Sequence, residues 1–423
     1  MSKYIFVCTS CNSEFSKEKI ENNLYYLCPN CGKAEINQPL HGVLKIQYDY
    51  TEVKKTLTRE KLLKSQPGSI WNFPEILPLD FEKENLPSRV DKHKLKLLKL
   101  NSNPLHKLKY SKFTFYVFDD TKNPTFSFKD RASILVAMKA IQLGIKDISA
   151  ASTGNAGSSI AGICTILGLN SKIFVPETIP EAKRIQIQSY GAEIFLVKGS
   201  YDDAFDLCLE VSKHKKWFNR NTAFNPFTIE GKKSAAYDIF ISSQGNVPQN
   251  IIVPVGDGVI LGGLYKGFTE LVQLGLMEQL PCFIAVQSTG SNALVRFYKT
   301  KIFEFNEAYT IADSICATAP RNLFMANEAL SKSNGLAIEV TDNEIIDAQK
   351  EIISSFGLFV EPSCSATFAA FKKLINENLL NYHEDYLLMF TGNGLKDLSS
   401  LKKWNYEPVA KTFKEWHKEL INE

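Results

Sequence analysis

A lysine at position 129, in the run Asn123-Pro-Thr-Phe-Ser-Phe-Lys-Asp-Arg131, has the surroundings of a reactive amine. Asn123-Pro124 marks a turn before it, and the apolar run Ser133 to Ile141 follows. That pattern predicts an extended segment, a turn and a helix beginning near Lys129. A helix start adds positive potential, which lowers an amine's pKa and favours a nearby phosphate. Both effects suit a lysine that forms a Schiff base with a phosphorylated aldehyde. Alone, the stretch reads more simply as a solvated surface lysine. Other segments change that balance.

Ser152-Thr-Gly-Asn-Ala-Gly157 follows a predicted strand and opens a helix. Its glycines let backbone approach a ligand, and Asn155 offers both donor and acceptor. An N-capped strand–helix turn uses the same residue types. Pro254-Val-Gly-Asp-Gly-Val-Ile-Leu-Gly-Gly263 again joins a strand to a helix. Its free N–H groups form an anion nest suited to a phosphate. No Gly-Lys-Ser/Thr follows, so it is not a P-loop. Leu261 stands where a dinucleotide fingerprint needs its third glycine. A phosphate outside a nucleotide fits better, although a tight turn that binds nothing has the same composition. Thr391, in Phe390-Thr-Gly-Asn-Gly-Leu-Lys-Asp397, ends the last predicted strand and can turn its hydroxyl into a cleft. Glu361 precedes a predicted helix, where a carboxylate also serves the helix dipole.

The N-terminus carries a second chemistry. Cys8-Thr-Ser-Cys11 and Cys28-Pro-Asn-Cys31 are two C-x2-C pairs with sixteen residues between them. Each pair on a tight turn puts two thiolates on one side of a metal, and two pairs close a tetrahedral shell for zinc. Cys8, Cys11, Cys28 and Cys31 would leave no open position, which implies a structural Zn2+ and no catalysis.

These groups need elements to hold them. From 111 onward, predicted strands alternate with helices: Phe113–Phe118, Asp147–Ala151, Lys172–Val175 and Glu193–Val197, then Gln249–Val255, Cys282–Gln287 and Tyr386–Thr391. That alternation predicts parallel βαβ units in two α/β domains with ligands in the cleft at strand ends. We divide the chain into a zinc ribbon (1–48), a segment packing on the larger domain (49–110), a smaller α/β domain (111–225) and a larger one (226–423). Lys92 to Lys99 reads as a solvated basic face. The 423 residues are 44% hydrophobic and 22% charged, with a net charge of +3 from 49 basic and 46 acidic side chains. That balance gives no domain-scale basic surface, so nucleic acid is not the expected partner. No run of about eighteen uncharged apolar residues predicts a membrane span. Nine cysteines in a chain this long do not make a secreted disulfide framework. We expect a cytoplasmic protein.

Taken together, the motifs resemble threonine synthase. Pro124-Thr-Phe-Ser-Phe-Lys-Asp-Arg131, Ser152-Thr-Gly-Asn155, the Gly256 loop, Glu361-Pro-Ser363 and Thr391-Gly-Asn-Gly-Leu-Lys-Asp397 follow that family's order and spacing. Asn219-Arg-Asn-Thr-Ala-Phe-Asn-Pro226 with Glu230-Gly-Lys-Lys233 is similar to its Asn-Pro…Glu-Gly-Lys segment. The ribbon followed by Gly42-Val-Leu-Lys-Ile-Gln-Tyr-Asp49 is similar to the zinc-ribbon branch. The resemblance implies an α/β, two-domain, tryptophan-synthase-β-like fold (fold type II) that uses pyridoxal 5'-phosphate. It implies a Schiff base on Lys129 and a hydrogen bond from Asn155 to the cofactor's ring hydroxyl. It places the cofactor phosphate on the N–H groups of Gly256, Asp257, Gly258, Val259 and Ile260, and Thr391 at the pyridine nitrogen. Ser152 and Thr153 are expected at the substrate carboxylate. Arg220, Asn225 and Lys233 are candidates for the substrate phosphate. Phe126 stands where the family usually has Gly, and Ser363-Cys364 where it usually has Ala-Ser.

The implied reaction is a lyase step that turns O-phosphohomoserine and water into threonine and phosphate, in a protein expected to be a homodimer. A β-replacement or β-elimination on serine, phosphoserine or threonine needs the same lysine and phosphate loop. Phe126 keeps that alternative open. A more remote one makes the ribbon central, as a nucleic-acid-binding or regulatory protein on an inactive scaffold. Retention of Lys129, Asn155 and Thr391 argues against it.

Overall fold

The computed structural model describes residues 3–80, 90–152, 154–179, 181–199 and 201–421. Thr153, expected at the substrate carboxylate, lies outside them.

Residues Tyr4–Cys8 (β1), Glu14–Ser16 (β2) and Leu44–Tyr48 (β3) form a three-stranded antiparallel sheet in the order β2-β1-β3. The two Cys turns sit beside it. A six-stranded sheet follows the order β12-β11-β10-β13-β5-β4, from Leu336–Val340, Cys282–Ser288, Asn250–Pro254, Tyr386–Phe390, Phe113–Asp119 and Leu105–Tyr110. All its pairings are parallel except the antiparallel edge between β4 and β5. A four-stranded parallel sheet, β8-β7-β6-β9, uses Glu193–Val197, Asn170–Pro176, Asp147–Ala151 and Phe218–Asn219.

The larger sheet is covered on both faces, which its sequence demands. Every residue of Asn-Ile-Ile-Val-Pro in β10 and of Tyr-Leu-Leu-Met-Phe in β13 is buried. Side chains alternate between faces along a strand. Ile251, Val253, Leu387 and Met389 accordingly join one core, and Ile252, Leu388 and Phe390 another.

The division at 111 is corrected here. The strand at Phe113, assigned to the smaller domain, pairs with β13 in the larger sheet. Phe113, Phe115 and Val117 need that sheet's second core, where Phe368 and Phe371 cover them. Strand β12 was not among the expected strands, and the basic run read as a solvated face forms a short helix over 92–97.

Helices Lys129–Gln142 (α1), Asn155–Leu167 (α2), Glu181–Ser189 (α3) and Tyr201–Lys215 (α4) belong to the first half of the body. Phe227–Lys232 (α5), Ser234–Ser242 (α6), Val259–Gln273 (α7), Asp342–Phe356 (α8) and Pro362–Asn376 (α9) belong to the second. Among the described residues no helix is long and apolar enough to cross a membrane.

The ribbon is fastened to α5 and α7 by buried charge. Lys233 Nζ lies 2.7 Å from Glu230 and 2.9 Å from Glu270, and Lys266 Nζ lies 3.2 and 3.0 Å from the same pair. Tyr48 of β3 donates to Glu230 (2.7 Å), and Lys266 donates to the Ile46 carbonyl (2.6 Å). Two buried carboxylates are tolerable because two cations and the phenols of Tyr48, Tyr50 and Tyr237 face them. Lys233→Met removes one cation and leaves the other charges buried. We expect it to cost about 3 kcal/mol in urea unfolding while cofactor affinity stays unchanged.

Candidate functional site

Three neighbouring strands end at one place. In the order β10-β13-β5, their C-terminal ends lead to the glycine loop, to Thr391 and to the Lys129 turn. Ligands of open parallel sheets sit at such ends. Phe128 N–H donates to the Thr391 carbonyl (2.9 Å), and Asn393 N–H to the Phe126 carbonyl (3.1 Å), which pins the lysine turn to the end of β13. Asn155, the first residue of α2, approaches from the smaller sheet.

Lys129, Asn155, Gly256 to Leu261, Glu361 and Thr391 line one cavity, with Thr222, Lys232 and Ser314. Gly258, at φ +83°, takes a left-handed turn that side chains rarely adopt, and α7 begins at the next residue. Among the described residues, no backbone carbonyl takes the N–H groups of Gly256, Asp257 or Gly258. The first N–H groups of α7 lack helical partners as well. The loop is held from outside: Asp257 accepts from the N–H groups of Arg321 and Asn322. The result is a preformed anion nest facing an amine.

Burial, and then the Arg220 guanidinium, lower the pKa of Lys129; Asp257 and Glu361 oppose them. Among the described residues, no hydrogen bond or ion pair reaches its amine. Lys232 is driven well below its ordinary range, by burial first and then by Lys129 and Arg220. A buried amine near a nest of N–H donors has the chemistry a phosphorylated aldehyde requires. The donor groups present therefore fit pyridoxal phosphate.

The cleft continues past Ser152, Phe205, Arg220 and Arg321. Arg220 is braced by its Nε on Ser133 Oγ (3.3 Å). Two expected substrate residues lie elsewhere. Asn225 is buried, donating to the Asn219 carbonyl (2.6 Å) and accepting from Phe227 N–H (2.8 Å), so it shapes the turn before α5. Lys233 belongs to the ribbon junction. Adjacent helical residues point about 100° apart, and it is Lys232 that faces the cavity. Glu361 lines the cavity too, a position its helix-start context had left open.

Phe126 does not line the cleft. The residue is 43% exposed, and its backbone is left-handed at φ 68°. That conformation is why glycine suits the position. The four ribbon thiols converge: their Sγ atoms lie within 4.8 Å of one another, with Cys8–Cys31 at 3.5 Å and Cys11–Cys28 at 3.6 Å.

The chain belongs to the pyridoxal-phosphate dependent enzymes, whose family pattern matches residues 97–392. It is 32% identical to the threonine synthase of Methanocaldococcus jannaschii over 90% of this chain and 95% of that one. It is 30% identical to that of Methanosarcina acetivorans over 96% of each. Within the class it falls among the threonine synthases, as a pyridoxal-phosphate-dependent lyase. Solved structures share the fold: a T.th. threonine deaminase (TM-score 0.60, 18% identity, 77% of this chain and 99% of that one) and a fungal L-serine ammonia-lyase from Rhizomucor miehei (0.62, 20%, 72% and 97%).

Replacing Phe126 by glycine relieves about 1–2 kcal/mol of left-handed strain against about 0.5–1 kcal/mol of added chain entropy. Phe126→Gly should raise Tm slightly and leave KM unchanged, as thermal unfolding and steady-state kinetics will show.

Proposed function

We propose that this chain converts O-phosphohomoserine and water to threonine and phosphate. The observation that carries the reading is the meeting of Lys129, the glycine nest and Thr391 at three adjacent strand ends. The near-full-length likeness to proteins named threonine synthase supports the substrate. Phe126, the residue that kept serine or phosphoserine chemistry open, lies away from the cleft lining.

In this reading Gly256, Asp257, Gly258, Val259 and Ile260 hold the cofactor phosphate, Asn155 its ring hydroxyl and Thr391 its ring nitrogen. The cofactor supplies an electron sink for charge that develops next to the amino group. Lys129 carries the protons. Its lowered pKa keeps the amine unprotonated near neutral pH, free to accept the Cα proton and then a Cβ proton and to give protons back at Cγ and Cα. Phosphate leaves from Cγ with the C–O bonding electrons, Cγ takes a proton to become the methyl group, and water adds its hydroxyl at Cβ while its proton replaces the one lost from Cα. Ser152 binds the substrate carboxylate. Arg220, with Arg321 beside it in the cleft, faces the substrate phosphate; a buried guanidinium suits a phosphate's paired oxygens. Lys232, its pKa lowered by burial, adds an amine N–H donor next to the nest.

We propose a zinc ion on Cys8, Cys11, Cys28 and Cys31. Tetrahedral zinc with Zn–S near 2.3 Å sets sulfurs about 3.7 Å apart, close to the two separations above. N–H groups of Ser10 and Cys11 point at Cys8 Sγ (3.3 and 3.4 Å), and that of Asn30 at Cys28 Sγ (3.4 Å), where they would stabilise thiolate charge.

Phosphate release from O-phosphohomoserine with matching threonine tests the reading; release from phosphoserine alone would overturn it. Borohydride should trap the cofactor on Lys129, and Lys129→Ala should abolish both label and turnover. Arg220→Met should raise KM for O-phosphohomoserine about 30-fold, the worth of a charge-assisted contact. It should also raise the pH midpoint for cofactor uptake, because a neighbouring cation that depresses the amine's pKa is gone. Cys28→Ser should remove zinc as read by elemental analysis and lower Tm.

A further inference from the structure

Lys232 ends α5 and is fully buried. Its neighbour Lys233 meets two glutamates in the ribbon junction. Among the described residues, no carboxylate pairs with Lys232; its one polar partner is the Thr222 hydroxyl, which accepts from Nζ at 2.7 Å. The lysine stem lies against α7. A Cβ added to Gly263 would sit 2.7 Å from Lys232 Cβ, so that glycine makes room for the stem. Gly263 is four residues beyond Val259, about 6 Å along the helix from the nest. Lys232 and Thr222 both line the cavity of the glycine loop, and Lys232 does not line the outer cleft of Ser152, Arg220 and Arg321.

Charge decides what such an amine can do. A buried ammonium with no counterion is costly. The charged groups around it are Lys129 at the start of α1, Arg220 just after β9 and Asp257 in the glycine loop, with Glu361 also lining the cavity. Burial, Lys129 and Arg220 together outweigh Asp257 and hold the amine neutral. A phosphate dianion in the nest reverses that balance, because opposite charge at short range favours the ammonium. The hydrogens follow the same count. A neutral amine has two, of which Thr222 takes one; an ammonium has three, which leaves two for phosphate oxygens.

We infer that Lys232 is a side-chain ligand of the cofactor's phosphate and takes up a proton as that phosphate binds. The inference rests on the reading above, in which the glycine nest holds that phosphate. The backbone supplies fixed partial charges, and Lys232 supplies a full charge that arrives with the ligand. The proton comes from solvent, and no covalent bond changes. Linkage gives the sign. Loading raises the amine's pKa, so the affinity gained is complete below the ligand-free pKa and is lost as pH rises through the loaded one.

Methyl phosphate is the first probe. Its second pKa is about 6, so it is already a dianion above about pH 7.5, and it carries no amine, aldehyde or ring to titrate. Calorimetry on the cofactor-stripped full chain, in buffers of different ionisation enthalpy between about pH 7.5 and 9.5, counts the protons. Uptake should peak near one per methyl phosphate in the wild type, persist in Lys129→Ala and vanish in Lys232→Gln, which keeps a donor but cannot charge. No uptake in the wild type overturns the inference, whether or not the variants fold. Uptake that survives in Lys232→Gln and vanishes in Lys129→Ala belongs to the other amine and overturns it as well. With pyridoxal phosphate, read by its visible band, Lys232→Gln should weaken binding about 30-fold near neutral pH, the worth of a charge-assisted contact. That gap should close as pH rises, since only the wild type has the proton to lose. A gap independent of pH is what a merely structural lysine gives, and overturns the inference. Borohydride labelling separates the two readings. Label on a lysine other than Lys129 overturns the cofactor assignment and this inference with it, whereas label on Lys129 without proton uptake overturns this inference alone.

Discussion

Arg131 is a charge with no access to water, and the presentation of Lys129 depends on it. Its guanidinium takes both oxygens of Asp120 (2.6 and 2.9 Å), one oxygen of Asp238 (2.7 Å) and Ser234 Oγ (3.0 Å). The rings of Phe118 and Phe128 flank it, at 5.3 and 5.6 Å. Burial works against its charge, yet the two aspartates hold its proton more firmly than water would. Such a group is stable only with every partner in place, so it fixes the end of β5, the start of α1 and the helix α6 in one geometry. Asp238 passes the constraint on by accepting from Gly68 N–H (3.1 Å). Asp130 does the same on the other side: its carboxylate takes Thr125 N–H (2.7 Å), the Thr125 hydroxyl and Ser159 Oγ (2.6 Å). Between these anchored neighbours, Lys129 alone is left facing the cavity. The motif is thus one reactive amine and two clamps.

The ribbon obeys the same logic. It touches the body through charges that cannot be hydrated, so it docks in one position rather than hanging from a linker. The helices it grips are the two that bring Lys232 and the glycine nest to the cavity. A second contact comes from the 35–40 segment, whose carbonyls at Glu35 and Gln38 accept from Arg321 (3.3 and 3.2 Å). Arg321 is the residue whose N–H braces the nest through Asp257. The small N-terminal domain thereby supports both sides of the glycine loop.

The sequence made visible whatever depends on short stretches of chain. The Cys pairs, the glycine turns and the start of α1 each follow from local geometry, and they lie where their spacing implied. What stayed hidden depends on distant partners. Nothing in Phe113 to Phe118 tells which sheet will supply a neighbour; β13, far along the chain, decides that. Lys232 and Lys233 are alike in type, and only the positions of Glu230 and Glu270 sort one to a buried ion cluster and the other to the cavity. Asn225 carries the motif's signature yet spends its amide on its own turn. Phe126 kept the serine alternative open, whereas its left-handed backbone leaves the residue exposed and away from the cleft lining.

The position of β13 carries a consequence for how the protein is made. It is the last strand among the described residues and lies in the middle of the larger sheet, between β10 and β5. Until it is synthesised, those strands have an empty slot between them, and Thr391 is missing from the cavity. A chain that stops short of β13 therefore presents Lys129 without the cavity wall that Thr391 supplies. Closing a sheet at its centre by the most distant segment is slow, because long-range pairing pays its entropy before its contacts form. In return, the cavity is complete only in a chain that has been made through β13.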